Sequence, residues 1–197
     1  DERVLVPRSF IAELIPNWFS PWVTNPYEVE NVLELCTGSG CLAIMMADVY
    51  QNAVVDAVDI STDALAVAER NIRDYKLEGR VNPIESDLYE NVPFKKYDLI
   101  VTNPPYVNAD SMGKLPPEYL REPQIALHGG LDGMDLVRKI VAGAAERLTP
   151  EGILVVEIGN EAEYAEAAFG HLGLTWLTTS AGDEAVFLLT AEQLQNA

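Results

Sequence analysis

Apolar residues follow two alternating spacings along this chain, and the two spacings predict strands and helices in turn. Short apolar runs typical of buried strands lie at 31–36, 53–60, 80–86 and 97–102. Between them, apolar residues recur at helical spacing, first from the turn at 37–40 to Tyr50 and then from a Ser61 cap to Tyr75. The first half of the chain is therefore predicted to consist of repeated strand and helix units.

The second half continues this alternation and ends differently. A helix is predicted over 136–148, then a strand over 152–158 and a helix with Asn160 as its cap. The last two strand candidates, at 174–179 and 184–189, are joined by a short turn and are expected to pair as an antiparallel hairpin. We therefore predict an α/β fold with a mostly parallel seven-stranded sheet, helices on both faces and a closing antiparallel hairpin.

Two stretches lie outside the alternation. Residues 1–28 are expected to form an extended segment and a helix, capped by Ser9, that lead into a main domain at 29–197. A long polar loop with three prolines is predicted over 108–133. Loops of that length in a compact domain are usually functional or disordered, so this loop and residues 3–13 are candidate covers for a site.

Composition bounds the class of protein and its partners. At 197 residues, with 48% apolar and 22% charged residues, the chain is typical of one soluble globular domain. Its 31 acidic against 13 basic residues give a net charge of -18, which argues against strong direct binding to nucleic acid, because Lys and Arg supply most of that affinity. Such a charge suits a basic protein partner, although acidic residues also serve simply to keep a domain soluble.

The cysteines and histidines give no sign of a metal centre. Cys36 and Cys41 are far in sequence from His128 and His171, and these residues lack the spacing of a zinc site. We therefore predict no metal and a reduced, cytoplasmic chain. The sequence contains neither an apolar run of membrane-spanning length nor a signal peptide, so we expect no membrane partner. Because it begins at Asp1 rather than Met, the chain is expected to be part of a longer protein.

The strand at 97–102 runs directly into Asn103-Pro104-Pro105-Tyr106, a stiff turn that ends in an aromatic ring. The prolines fix their own φ and keep the preceding residues out of helical geometry, so the Asn103 side chain and the Pro104 carbonyl should project rigidly. Two such oxygens can each accept one hydrogen of an amide or amine, while the Tyr106 ring offers a flat face. The alternative is a proline-rich loop that simply closes a buried strand.

Three further strand ends carry candidate ligand-binding residues. Gly38 and Gly40 lie between a strand and a helix, where a ligand can approach the backbone and the helix N-terminus favours an anionic group, although tight turns also need glycine for steric reasons. Asp59 ends the next strand, where it can accept both hydroxyls of a ribose or cap a helix together with Ser61. Asp87 ends the third strand, where it can accept from an adenine amine or be an ordinary turn aspartate.

Taken together, these four strand ends resemble those of the Rossmann-like methyltransferases that use S-adenosylmethionine, in the branch marked by an Asn/Asp-Pro-Pro-aromatic motif. Within that branch the chain resembles the HemK-type enzymes, which methylate the side-chain amide of glutamine. The stretches that support this resemblance are 6–8, 103–107, 121–123, 126–133 and 157–160. The resemblance implies a class I S-adenosylmethionine-dependent methyltransferase fold, in which a closing antiparallel hairpin is also expected.

The resemblance also implies site residues. The cofactor S-adenosyl-L-methionine is expected to contact Glu34, Thr37, Gly38, Gly40, Asp59, Ile60, Asp87, Leu88 and Asn103. The expected catalytic residues are Asn103, Pro104 and Tyr106, and the substrate amide is expected to contact Asn103, Pro104, Pro105 and Tyr106. Two roles stay open: Glu34 lies under the methionine amine or fixes the glycine turn, and Tyr106 stacks on the amide or packs under the loop.

The motif at residues 7–15 indicates which protein is the expected substrate. Residues 7–15 resemble the group that methylates large-subunit ribosomal protein three, rather than the release-factor enzymes, which continue the motif with a second proline and a Thr-Glu pair. Phe10 stands where proline is common in that group, and the N-terminal helical domain of such enzymes is missing from this sequence. The competing hypotheses are a release-factor methyltransferase, a methyltransferase for nucleic-acid amines and an inactive cofactor-binding module. A nucleic-acid enzyme should show a basic tract, and an inactive module has no need of both acceptor oxygens.

Overall fold

The structure is a computed structural model that describes residues 2–109, 113 and 123–196, apart from the side chain of Gln124. Much of the predicted 108–133 loop therefore lies outside the described residues, as do residues 121 and 122 of the stretches that carry the family resemblance. The described residues form one seven-stranded sheet with helices packed on both faces.

The strands are β1 (Asn31–Leu35), β2 (Val54–Asp59), β3 (Val81–Glu85), β4 (Tyr97–Thr102), β5 (Leu148–Glu157), β6 (Thr175–Thr179) and β7 (Gly182–Thr190). They lie in the order β3-β2-β1-β4-β5-β7-β6. The strands from β3 to β5 run parallel to their neighbours, and β7 runs antiparallel to both β5 and β6. The predicted fold class is thereby confirmed: a mostly parallel sheet closed by an antiparallel hairpin.

The helices in the described residues are α1 (Ile11–Leu14), α2 (Cys41–Val49), α3 (Thr62–Asp74), α4 (Asp135–Ala144), α5 (Ala162–Phe169) and α6 (Ala191–Gln195). Short 3₁₀ turns cover Ile15–Asn17, Pro26–Glu28, Gln124–Ala126 and Gly170–Leu172. Ser61 caps α3 as predicted, accepting the Ala64 N–H at 3.2 Å. Across the part of the chain that the structure describes, no helix is long and apolar enough to span a bilayer.

Two other predicted helix caps are wrong. The first helix begins at Ile11, and Ser9 instead donates its hydroxyl hydrogen to Glu157 Oε2, 2.5 Å away. The same hydroxyl oxygen accepts the Ile11 N–H at 3.3 Å, but Phe10 rather than Ser9 is the residue that directly precedes the helix. Asn160 is exposed, and Glu161 is the residue that precedes α5, with its carbonyl accepting the first helical N–H groups. That helix therefore begins one residue later than its polar signal indicates.

The helix predicted over 136–148 ends early, and the strand after it begins early. α4 stops at Ala144, and Leu148 already pairs with Tyr97 at the start of β5. Leu148 is buried in the same apolar core as α4. Its spacing extends the helical pattern of the sequence, but it belongs to the strand. The short α6 was not predicted, because its start is marked only by a capping box between Thr190 and Gln193.

Alternate residues of the central strands face opposite sides of the sheet, and each side has its own apolar core. The first core contains α1 to α3 and these strand residues: Val32, Val55, Leu99, Val101 and Val155. The second core contains α4 to α6 and these strand residues: Leu33, Val58, Ile100, Leu154 and Val156. Because helices cover both faces, the parallel strands are open mainly at their ends, and their carboxyl ends share one edge.

The N-terminal segment packs against the rest of the chain. The first core includes its residues Ile11, Ile15 and Phe19, and Val4 packs on α3. Glu13 accepts hydrogen bonds from the backbone N–H (2.9 Å) and the hydroxyl (2.5 Å) of Ser180, in the turn between β6 and β7. The division into 1–28 and 29–197 stays a prediction, but these contacts place the segment against α3 and the closing hairpin.

Asp56 lies inside the sheet, on β2, and holds a buried polar network. Its carboxylate accepts hydrogen bonds from Tyr97 Oη (2.8 Å) and Asn82 Nδ2 (3.1 Å) and pairs with Lys95 Nζ (3.0 Å). Replacing Asp56 by alanine is expected to lower the free energy of unfolding by about 3 kcal/mol, because the buried Tyr97 hydroxyl loses its acceptor. Denaturant unfolding measures this change.

The matched control for that variant is Asp74→Ala. It removes an ion pair with Arg70 in which the two side chains are 65% and 74% exposed. Exposed pairs contribute little, so this substitution is expected to cost less than about 1 kcal/mol. If the Asp56 and Asp74 variants lost equal stability, the assigned role of the buried network would be wrong.

Candidate active site

A cavity of about 1270 Å³ opens at the carboxyl ends of the parallel strands. Its lining includes these predicted site residues: Glu34, Thr37, Gly38, Asp59, Ile60, Asp87, Leu88, Asn103, Pro104, Pro105 and Tyr106. Residues 3–10 of the N-terminal segment form another part of the wall. The structure therefore brings the predicted cofactor residues and the predicted substrate residues to one cavity, with the exception of Gly40.

Gly40 packs against a helix and is not part of the cavity lining. A Cβ at Gly40 would lie 3.1 Å from Ala68 Cβ, so the glycine lets the start of α2 approach α3 closely. Gly38 is different, because no atom lies within 4 Å of the position that its Cβ would take. With a φ of 56°, Gly38 turns the chain in a left-handed conformation and leaves its backbone open to a bound group.

Asp59 ties the glycine turn to the end of β2. Its Oδ2 accepts the Gly38 N–H at 2.8 Å, and its Oδ1 accepts the Ser61 N–H at 2.9 Å. The helix that follows is capped by Ser61, so Asp59 is not needed as its cap. Each carboxylate oxygen can accept more than one hydrogen, and the side chain also lines the cavity. Asp59 can therefore accept hydrogen bonds from a ligand while holding two turns in place.

The turn after β3 places Asp87 and Leu88 in the cavity wall. Ser86 holds this turn, because its N–H donates to the Asp59 carbonyl (3.0 Å) and its hydroxyl accepts the Asn91 N–H (2.8 Å). Leu88 is buried in the second core and has a φ of 48°, which is uncommon for a residue with a Cβ. The turns that carry Asp59 and Asp87 are thus directly connected.

Glu34 is a buried carboxyl at the end of β1, with 2% of its surface exposed. It accepts a short hydrogen bond from the Thr37 hydroxyl, so it does fix the glycine turn. Burial raises the pKa of Glu34 to about 8, although the bond from Thr37 acts in the opposite direction. Nearby Asp59 raises this pKa further, and the carboxyl therefore keeps its proton at neutral pH unless a cation lies beside it.

Thiolate and metal chemistry have little support at this site. Burial raises the pKa of Cys36 to about 12, so its thiol stays protonated and is a poor nucleophile. Within residues 2–109, 113 and 123–196, no three His, Cys, Asp or Glu side chains are grouped as metal ligands would be. His128, which the sequence places in a loop, is exposed and accepts the Gly130 N–H through Nδ1 at 3.3 Å.

The turn at 103–106 is held on both sides. Before it, the Thr102 hydroxyl donates to the Leu35 carbonyl at 2.9 Å, which joins the ends of β4 and β1. After it, the Val107 N–H donates to the Leu127 carbonyl and the Gly129 N–H donates to the Val107 carbonyl, each at 2.9 Å. Because hydrogen bonds fix the chain on either side, the residues of the turn are held in a defined position in the cavity wall.

Tyr106 packs directly against glycine residues that leave room for it. A Cβ at Gly159 would lie 2.6 Å from the Tyr106 ring, and a Cβ at Gly129 would lie 2.7 Å from the Tyr106 Cα. A Cβ at Gly133 would lie still closer to the Tyr106 carbonyl oxygen. The ring is half-buried and also lines the cavity. Both hypotheses for Tyr106, stacking on a bound group and packing on the protein, are compatible with this placement.

Replacing Gly159 by alanine is expected to displace the Tyr106 ring. The added methyl group would overlap the ring, and Gly159 also has a φ of 55°, which disfavours a side chain. We expect the free energy of unfolding to fall by about 2 kcal/mol. We also expect the change in tyrosine fluorescence on binding of a ligand in the cavity to differ from that of the wild type. Denaturant unfolding and fluorescence titration measure the two effects.

Gly79→Ala is the matched control for the Gly159 variant. Gly79 has a φ of 85° but no atom within 4 Å of a Cβ built there. The substitution therefore introduces the backbone strain without the overlap, and we expect a cost of about 1 kcal/mol and no change in the fluorescence titration. An equal response from both variants would show that the contact with Tyr106 is unimportant.

Glu157 is a site residue that the sequence did not single out individually. It ends β5, is 1% exposed, and accepts hydrogen bonds from the Ser9 hydroxyl (2.5 Å) and the Ile11 N–H (3.3 Å). Burial raises the pKa of Glu157, while the Ser9 bond lowers it. A signal was present, because a carboxylate at the end of a strand is the same feature that identified Asp59 and Asp87. Glu157 anchors the N-terminal segment at the cavity.

A family model and the curated relatives that match this chain are all described as methyltransferases. The family model described as "Methyltransferase small domain" matches residues 22–116. The chain is 56% identical over 194 residues to the ribosomal protein uL3 glutamine methyltransferase of Neisseria gonorrhoeae (strain ATCC 700825 / FA 1090), covering 98% of this chain and 64% of that protein. It is also 56% identical over 201 residues to the protein of the same name from Burkholderia pseudomallei (strain K96243), covering 98% and 66%. The chain thus spans slightly less than two thirds of these curated relatives.

Solved structures share the fold at low sequence identity. The ribosomal protein L11 methylase from Lactobacillus delbrueckii subsp. bulgaricus is similar with a TM-score of 0.59 and 20% identity, over 90% of this chain and 75% of that one. The hMettl16 catalytic domain, in complex with hairpin 6 of the MAT2A 3′UTR, is similar with a TM-score of 0.74 and 13% identity, over 97% and 74%. These similarities confirm the class I methyltransferase fold.

Proposed function

Since the chain belongs to the family of the ribosomal protein uL3 glutamine methyltransferases, we propose that it transfers a methyl group from S-adenosyl-L-methionine to the side-chain amide nitrogen of a glutamine in uL3, the large-subunit ribosomal protein three. One observation supports this proposal above the others. Asn103 and Pro104, whose side-chain amide and backbone carbonyl are the two acceptors of the 103–106 turn, line the same cavity as three carboxyl side chains at or just after the ends of β1, β2 and β3: Glu34, Asp59 and Asp87.

The cavity fits the proposed cofactor in size and in chemistry. Asp59 and Asp87 supply acceptors for ribose hydroxyls and an adenine amine, with Ile60 and Leu88 as apolar neighbours. The open backbone at Gly38 leads to the N-terminus of α2, which favours a carboxylate. Glu34 is the acid for the methionine ammonium. When bound, the cofactor supplies a methyl group made electrophilic by its sulfonium charge.

The protein's own contribution is to make an amide nitrogen nucleophilic. The nitrogen of an amide is a poor nucleophile because its lone pair is delocalised into the carbonyl. Asn103 Oδ1 and the Pro104 carbonyl each accept one N–H of the glutamine amide, which favours a pyramidal nitrogen with its lone pair free. These contacts strengthen as positive charge develops on the nitrogen, so they lower the barrier rather than only bind the substrate. The Tyr106 ring holds the plane of the amide.

No strong base is needed before methyl transfer in this scheme. The nitrogen becomes acidic only once it has gained the methyl group, and it can then release its proton to solvent. His128, exposed and bonded to Gly130, need not act as a base. The other requirement is correct placement of the amide, for which residues 3–10 provide a wall, anchored through Glu157.

The charge of the chain suits the proposed acceptor. A net charge of -18 attracts a basic protein such as a ribosomal protein and opposes direct strong binding to a nucleic-acid backbone. We propose that the reaction takes place in the cytoplasm, with the ribosomal protein as partner.

The experiment that tests this function is a parallel methyl-transfer assay with labelled S-adenosyl-L-methionine. The protein at its natural full length is incubated with uL3, with a peptide release factor and with undermethylated DNA. Label in uL3 alone is the expected result. Label in the release factor instead would keep the glutamine chemistry and reject uL3 as the acceptor, while label only in DNA would reject both the acceptor and the argument from charge.

A further inference from the structure

Asn108 and Glu161 form a buried hydrogen bond beside the 103–106 turn. Asn108 Nδ2 donates to Glu161 Oε2 at 2.7 Å, and each residue is only 7% exposed. The two residues are 53 positions apart in sequence. Asn108 follows Tyr106 by two residues, and Glu161 immediately precedes α5, so the bond joins the segment after β4 to the segment after β5.

Close glycine contacts join the same two segments. The Tyr106 ring lies against Gly159, which follows β5, and the Tyr106 carbonyl lies against Gly133. A Cβ built on Gly133 would also lie 3.5 Å from Glu161 Cγ. Tyr106 is thus held by its ring and its carbonyl, and the Asn108–Glu161 bond fixes the chain directly after it.

The Asn108–Glu161 bond is suited to fixing the relative positions of the two segments. A carboxylate that accepts an amide hydrogen in a buried site makes a short, charge-assisted bond, and breaking it would leave a buried charge without that partner. Glu161 is itself anchored, because its N–H donates to the Ile158 carbonyl (3.1 Å) and its carbonyl begins α5. Asn108 is therefore tied to a rigid point at the end of β5.

We propose that Asn108 and Glu161 are positioning residues for the acceptor half of the active site. The pair sets the position of Tyr106, and through it the 103–106 turn, relative to β5. This inference rests on the proposed function, because the group to be positioned is the substrate amide. Neither residue belongs to the set assigned to the cofactor, so their effect falls on turnover and not on cofactor affinity.

The pair allows a test by exchange of donor and acceptor. In Asn108→Asp the amide donor is lost, and the buried site holds two carboxyl groups that repel each other unless they take up a proton to share. We expect kcat to fall by at least about tenfold, because small misplacements of reacting groups are costly. Glu161→Gln keeps an acceptor oxygen for the Asn108 amide but removes the charge, so its loss in kcat should be smaller than that of Asn108→Asp. The double variant restores a hydrogen bond between an amide and a carboxylate with donor and acceptor exchanged, and turnover should recover.

Two readouts are measured on each variant at its natural full length. The first is kcat for methyl transfer to uL3, alongside the Kd of the cofactor, which should not change. The second is hydrogen exchange of the Val107 and Gly129 amides, which report the local backbone bonds after the turn. Exchange should be faster in Asn108→Asp and should return to the wild-type rate in the double variant.

The outcomes separate this inference from the proposed function. The positioning role would be overturned if Asn108→Asp matched the wild type in both kcat and amide exchange. It would also be overturned if the double variant recovered neither of them. Loss of cofactor affinity in parallel with turnover would also overturn it, because it would indicate a general structural role. If the wild type transfers no methyl group to uL3, the proposed function fails, and the exchange rates of the variants alone decide whether the pair positions the turn.

Discussion

Asn103→Ala is expected to reduce methyl transfer to below detection, by about 10²–10³-fold or more in kcat, while the Kd of the cofactor changes little. The alanine variant keeps the Pro104 carbonyl but loses the oxygen that accepts the other N–H of the substrate amide. That contact matters most when the nitrogen is pyramidal and charged, so its loss should appear in kcat. Single-turnover kinetics and equilibrium titration with the cofactor measure the two quantities separately.

Two companion variants sharpen this test. Asn103→Asp keeps an acceptor oxygen at the same distance from the backbone and should retain more activity than the alanine variant. Asn52→Ala makes the same truncation at an exposed asparagine whose side chain bonds only to the Tyr27 carbonyl among the described contacts, and it should leave kcat unchanged. If cofactor affinity in Asn103→Ala fell as steeply as turnover, the role assigned to Asn103 would be wrong.

Glu34→Gln is expected to weaken cofactor binding by about 10²-fold or more at a pH near 8, because a buried ionised partner of the methionine ammonium is lost. The affinity of the unaltered protein should also depend on pH. Its Glu34 has a pKa of about 8 when no cation is bound, so at lower pH the carboxyl must give up a proton before it can pair with the ammonium.

The sign of this pH dependence follows from the raised pKa. Ligand binding releases a proton, so affinity rises with pH, by about tenfold between pH 6 and pH 7, where the ligand amine stays charged. In Glu34→Gln this part of the dependence should disappear. Isothermal titration calorimetry in buffers of different ionisation enthalpy reports the released proton directly. An affinity that is independent of pH in both proteins would show that Glu34 does not face the ammonium.

The raised pKa also affects stability in the absence of ligand. The folded state holds the Glu34 proton more tightly than the unfolded state, so this carboxyl favours folding fully below its ordinary pKa of 4.5, and that contribution is lost as the pH rises through about 8. Cofactor binding offsets the loss, because the ammonium replaces the proton as the partner of the carboxyl. Glu34 therefore links the stability of the site to its occupancy.

Much of the fold could be predicted because the parallel strands are buried on both faces. In β4, for example, Leu99 to Val101 form a continuous apolar run that is buried, and such runs alternate with stretches of helical spacing. The candidate site could be located for a related reason. In a sheet of this kind the carboxyl ends of the strands meet at one edge, so Asp59, Asp87 and Asn103 were expected to lie close together, and all three line one cavity.

Other features depend on contacts that local sequence does not encode. Ser9 was expected to cap a helix, but the helix begins at Ile11, and the Ser9 hydroxyl donates to a carboxylate 148 positions away. Asn108 and Glu161 are ordinary polar residues in sequence, and only the neighbouring positions of β4 and β5 bring them together. The early start of β5 was missed because Leu148 fits a helical pattern equally well, and pairing with Tyr97 decides its conformation.

The measurement that tests the proposed chemistry most directly is the location of the transferred methyl group in uL3, by mass spectrometry of peptides after the reaction. We predict one methyl group on the side-chain nitrogen of a single glutamine, and no transfer to uL3 in which that glutamine is replaced by alanine. A methyl group on a lysine, on the N-terminal amine or on a carboxyl oxygen would contradict the account, because the 103–106 turn is assigned to the two N–H groups of an amide.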